Sequence, residues 1–65
     1  MPSTVIRGFR YQPESQALDI TLLSGRRYRY RDVPADTYEK MRAAYSKGEF
    51  FNRHIRDHFA FQKLE

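Results

Sequence analysis

The chain has 65 residues, no cysteine and a net charge of +4, from 12 Lys and Arg against 8 Asp and Glu. A domain this small buries only about 60% of the surface its unfolded chain exposes, so nearly every large apolar side chain is needed in one core and little room is expected for a cavity. The composition excludes a disulfide-stapled scaffold, no apolar run approaches the roughly 18 residues of a membrane span, and Met1-Pro2-Ser3-Thr4 lacks the apolar segment of a signal peptide. We therefore expect residues 1–65 to form one domain in the cytoplasm.

Residues 5–11, Val-Ile-Arg-Gly-Phe-Arg-Tyr, are rich in β-branched and aromatic side chains and end at the turn-forming Gln12-Pro13-Glu14-Ser15. They are the first predicted strand. Residues 17–22 alternate, with Leu18, Ile20 and Leu22 on one face and Asp19 and Thr21 on the other, which predicts a second strand. Residues 26–31, Arg-Arg-Tyr-Arg-Tyr-Arg, also have period two, with one aromatic and one cationic face, and form the third.

The loop between the second and third strands decides which of those faces is buried. Leu23-Ser24-Gly25 fits a three-residue hairpin with glycine at the left-handed position. That loop pairs Leu22 with Arg26, Ile20 with Tyr28 and Leu18 with Tyr30, so the tyrosines join the aliphatic core. Arg29 then lies opposite Asp19, and Arg27 opposite Thr21. A two-residue Ser24-Gly25 turn would instead set three arginines among the leucines, at several kcal/mol for each buried charge.

After Asp32-Val33-Pro34 the period changes. Residues 35–44 predict a helix, with proline near its start, Asp36 in the first turn, and Tyr38, Met41 and Tyr45 on its inner stripe. Ser46-Lys47-Gly48-Glu49 has the form of a capping box, which starts a second helix over residues 47–57. Its inward stripe is Phe51, Ile55 and His58 or Phe59, with Phe50 flanking. Residues 59–64 alternate again and are expected to lie extended across the core. The predicted fold class is α+β, a three-stranded antiparallel β-meander packed against two short helices.

This order of features resembles the KTSC domain, a short family named for its occurrence at the C-terminus of some lysyl-tRNA synthetases and also found as free-standing bacterial proteins. The resemblance is carried by Tyr11-Gln12-Pro13-Glu14, Leu18, Gly25, Tyr28-Arg29-Tyr30, Asp32-Val33-Pro34, Tyr38 and above all residues 46–56, Ser-Lys-Gly-Glu-Phe-Phe-Asn-Arg-His-Ile-Arg. It implies no established activity; RNA binding is what the synthetase fusion implies. Arginine stands at positions 10 and 27, where the family more typically has small or apolar residues.

Catalysis has little support in the residues. Serines 3, 15, 24 and 46 have terminal, turn or capping roles, and no cysteine is available as a nucleophile. His54 and His58 are spaced to share a helical face, but a zinc site needs three or four ligands and no further ligand is evident, so neither a metal nor a cofactor is expected. Arg53 is placed to pair with Asp57.

Nine of the twelve basic residues are arginine, the side chain best matched to phosphate and carboxylate. Arg27, Arg29 and Arg31 project from one side of the third strand, and Asn52, Arg53 and Arg56 occupy the polar side of the second helix. Two such ridges can track a phosphate backbone, so the expected function is a non-catalytic binding module for structured RNA such as tRNA. The alternative is a protein-interaction adaptor whose arginines meet an acidic partner and whose anchor is Phe50 or Phe61, and under either reading a monomer is expected.

Overall fold

A computed structural model of the chain describes residues 6–64. Val5, the expected first residue of the first strand, and the Met1-Pro2-Ser3-Thr4 start lie outside the described residues. The chain first lays down β1 (Ile6–Gln12), β2 (Ala17–Leu22) and β3 (Arg27–Tyr30). Leu22 and Arg26 close the second hairpin: Gly25 N–H donates to the Leu22 carbonyl at 2.9 Å, and Leu22 N–H donates to the Arg26 carbonyl at 2.9 Å. Gly25 takes φ +97°, a left-handed conformation that glycine adopts without steric cost. The register is the expected one, with Leu18 opposite Tyr30, Asp19 opposite Arg29, Ile20 opposite Tyr28 and Thr21 opposite Arg27.

Among the described residues the sheet has four strands, not the expected three. β4 (Phe61–Lys63) pairs antiparallel with the outer edge of β3, giving the order β1-β2-β3-β4. A three-residue strand with every residue exposed has a weak sequence signal. What places it is the row of backbone donors and acceptors along β3, which need partners once Tyr30 is buried. Two loop bonds extend the pairing beyond the strand, from Arg31 N–H to Ala60 C=O at 2.8 Å and from Leu64 N–H to Arg27 C=O at 2.7 Å.

Both helices pack on the tyrosine face. The core is Leu18, Ile20, Tyr30, Val33, Met41, Phe51 and Ile55, flanked by half-buried aromatics including Phe9, Tyr11, Tyr28 and Tyr38. α1 (Ala35–Ala43) contributes Tyr38 and Met41. Tyr45, expected on the same stripe, is instead wholly exposed (105%), because the backbone leaves the helix at Ala44 in an extended conformation. The helical period stops before it reaches Tyr45.

α2 (Lys47–Phe50) starts where the capping signal placed it, with Ser46 Oγ accepting from Glu49 N–H at 3.2 Å. It does not continue as an α-helix to residue 57. From Phe51–Ile55 the chain winds as a π-helix, and Arg56 N–H donates to Phe51 C=O at 2.9 Å. The wider turn accommodates one extra residue, so Phe51 and Ile55 stay buried while the next inward position falls on Phe59 and His58 is left exposed. The same shift turns Arg56 and Asp57 toward β3. Among the described residues no helix is long and apolar enough to cross a membrane.

Candidate nucleic-acid interface

The pleat of β3 puts Arg27 and Arg29 on the face opposite Tyr28 and Tyr30, where, among the described residues, no helix covers the sheet. Arg29 makes a two-pronged bridge to its cross-strand neighbour, Nε to Asp19 Oδ1 at 2.8 Å and Nη2 to Asp19 Oδ2 at 3.2 Å. Gln12 Nε2 adds a weaker bond to the same carboxylate at 3.4 Å, and Arg10 is the partner of Asp19 across β1. The carboxylate is well covered, at 13% exposure against 38% for the arginine. Hydrogen bonding and charge from Asp19 push the Arg29 guanidinium above its ordinary pKa. Its charge is thus largely answered within the protein. Arg27 is exposed, and Arg31 with Arg29 borders a shallow polar concavity of about 370 Å³ shared with Gln12, Asp32 and Gln62.

Arg53 and Arg56 are exposed on the other side of the molecule, and Asn52 is half-buried between them. Arg53 Nη2 lies 3.8 Å from Glu49 Oε2, so its ion partner is one turn before it rather than Asp57 as the spacing suggested. The π-helical turn breaks the four-residue relation between Arg53 and Asp57. Arg56 Nη1 donates to Asn52 Oδ1 at 3.4 Å. Because α2 and its π-helical extension pack against Tyr30, these three residues and the β3 arginines are on opposite faces of the sheet. The two ridges do not form one continuous surface.

The structure brings together a different group. An open cleft of about 470 Å³ lies between β3 and the π-helical turn, contrary to the small room for a cavity that chain length implies. Its walls are aromatic: Tyr28 and Phe61 meet edge to face at 5.6 Å between centroids, as do Tyr30 and Phe51 at 5.4 Å, while Tyr30 and Phe61 are tilted at 5.3 Å. Arg26, Arg56 and Asp57 supply its charge. Of the six residues expected to contact nucleic acid, Arg56 alone lines it. Sequence reasoning missed the cleft because Phe61 joins Tyr28 and Tyr30 only through the pairing of β4; the alternation of residues 59–64 was the available signal.

Tyr30 is only 4% exposed. Burial raises its phenol pKa, Arg56 opposes this, and Tyr28 and Asp57 add to it. At the far end of the same sheet face, Tyr11 stacks on Tyr38 with centroids 4.5 Å apart and its hydroxyl donates to Val33 C=O at 2.6 Å. The His54 ring rests against Phe50 at 4.6 Å, and among the described residues no three His, Cys, Asp or Glu side chains converge.

A family model described as the KTSC domain matches residues 2–59. The chain is 36% identical to a lysine–tRNA ligase of Nostoc sp. over 59 residues, 91% of the chain and 10% of that protein. It is 39% identical to a lysine–tRNA ligase of Nostoc punctiforme over 61 residues, 94% of the chain and 11% of that protein. It thus spans about a tenth of the length of these relatives. An uncharacterized protein of Stutzerimonas stutzeri is 30% identical over 66 residues, covering 100% of the chain and 93% of that protein. The crystal structure of a KTSC domain protein from Yersinia pestis superposes with a TM-score of 0.89 at 29% identity, covering 100% of this chain and 90% of that one.

Proposed function

This chain belongs to the KTSC domain family, and on that premise we propose that it is a non-catalytic module that binds structured RNA in the cytoplasm, chiefly through arginine–phosphate contacts. The observation that carries the reading is a sheet face, uncovered by helices among the described residues, that bears exposed Arg10, Arg27 and Arg31 on a chain of net charge +4. Relatives that are lysine–tRNA ligases place a similar segment within proteins named for a tRNA substrate. Arg29 contributes least, since Asp19 already holds it. Helix residues Asn52, Arg53 and Arg56 form a second, separate set of contacts.

Titration of labelled tRNA at several salt concentrations tests this. Each neutralised phosphate contributes about one unit to the log–log slope, so affinity falls steeply with salt. The Arg27→Gln, Arg31→Gln double variant is expected to weaken binding to unrelated RNAs alike and to flatten the slope by up to about two units. Wild-type protein that binds no RNA near physiological salt rejects the reading. It would favour a second one, an adaptor for an acidic protein partner, which the 54% exposure of Phe61 supports.

A further inference from the structure

The two ends of the inner sheet face treat their aromatic side chains differently. Tyr11 is closed off, with its ring against Tyr38 and its hydroxyl on Val33. Tyr30 is almost fully buried, yet it lines an open cleft. Beside it Phe61 leaves half its surface in water although the core lies within reach.

The charge around the cleft points to the class of ligand. Arg26 and Arg56 outnumber Asp57, which favours a ligand of net negative charge over an amine or methylated ammonium group. The groups are also spread out. Arg26 and Tyr30 are four strand residues apart, about 13 Å at 3.3 Å per residue, so a cation marks one end while Tyr30, Arg56 and Asp57 gather at the other. A flat ring flanked by an anion at one edge and hydrogen-bonding groups at the other matches this layout.

We infer that the cleft receives one unpaired nucleotide, its base stacked against Phe61 and met edge-on by Tyr28, its phosphate toward Arg26, and its Watson–Crick edge toward Tyr30, Arg56 and Asp57. The inference rests on the RNA reading and adds to it a site for a splayed-out base, the form in which proteins read single-stranded RNA. It also sets a preference. Guanine presents two adjacent N–H donors on that edge, at N1 and the exocyclic amine, which a single carboxylate accepts together; adenine has no such pair. Asp57 therefore favours guanine, with Arg56 and the Tyr30 hydroxyl positioned to reach its carbonyl oxygen.

The test uses three RNAs, two labelled uridine-rich single strands with one central guanosine or one central adenosine and a duplex of matched length, and four proteins: wild type, Phe61→Ala, Asp57→Asn and Arg27→Gln/Arg31→Gln. Phe61→Ala is expected to weaken single-strand binding about tenfold, as loss of one base–aromatic stack does, and to leave duplex binding unchanged. Asp57→Asn is expected to abolish the preference for a central guanosine over adenosine. Guanosine 5′-monophosphate is expected to shift the Tyr28 and Phe61 ring resonances, whereas ribose 5-phosphate is not. Both substituted residues are exposed, and retained thermal unfolding confirms that the variants fold. If Phe61→Ala and Asp57→Asn bind all three RNAs as wild type does while the double arginine variant weakens, the cleft inference is rejected and the RNA reading stands. If the mononucleotide shifts the rings but no RNA binds, the cleft is a free-nucleotide site, the RNA reading is rejected and this inference falls with it.

Discussion

The inner face of the sheet has two aromatic ends built from the same kinds of side chain, and they have opposite fates. At one, Tyr11 and Tyr38 lie parallel, 10° apart in plane, over buried Val33, with the phenol hydrogen bond closing the assembly. At the other, Tyr28, Tyr30, Phe51 and Phe61 meet edge to face or tilted and leave space between them. The difference lies in what covers each end. α1 lays Tyr38 directly on Tyr11, whereas the π-helical turn presents charged Arg56 and Asp57 where an α-helical continuation was expected to carry on its apolar stripe. Aromatic content alone therefore does not distinguish a structural clasp from a binding surface; the neighbouring backbone does.

Truncation at each end measures that difference most directly. Tyr11→Ala is expected to destabilise the fold by about 3 kcal/mol, since it removes a stacked ring and its hydrogen bond together. Phe61→Ala, at a half-exposed position, is expected to cost less than about 1 kcal/mol. Urea unfolding of both variants gives the ratio, and equal losses would mean that the cleft end is core after all.

The support under the open end can be loosened separately. Ser46 caps the helix that carries Phe51, Arg56 and Asp57, so Ser46→Ala is expected to lower stability by about 1 kcal/mol, with Ser46→Asp nearly neutral. Unchanged urea midpoints would remove the cap from this account. At the closed end, Tyr11→Phe keeps the stack and deletes only the bond to Val33; a loss of about 1 kcal/mol is expected from the carbonyl left without that partner.

A smaller effect distinguishes the ends by pH. Burial raises the Tyr30 phenol pKa in the folded state, so folding favours its protonated form. That contribution is fully present below the unfolded value near 10 and is lost as pH rises through the folded value. Stability is therefore expected to fall above about pH 10, and Tyr30→Phe should flatten that decline. Identical slopes for wild type and Tyr30→Phe in alkaline unfolding series would contradict the buried placement of the phenol.

Much of this architecture was legible because local chemistry left few choices. The length of Leu23-Ser24-Gly25 sets strand parity, and parity decided that tyrosines and not arginines enter the core, down to the Asp19–Arg29 pair. Ser46 likewise marked a helix start through its own backbone contact. Other features were not legible. Tyr45 has helical spacing from Met41, but the chain leaves the helix at Ala44, and the period counts residues without registering where the backbone turns.

Sequence alone thus determined the register of the hairpin, the side of the sheet that would be buried and the residue that opens the second helix, all of which follow from interactions within a few positions of one another. Only the tertiary structure decided that β3 would take a fourth strand, that Phe51–Ile55 would widen into a π-helical turn, and that the two arginine sets would face opposite ways. Each of these depends on groups far apart in the chain. The open edge of β3 needed backbone partners from residues more than thirty positions later, and satisfying it placed Phe61 beside Tyr30, making a cleft that no local pattern contains.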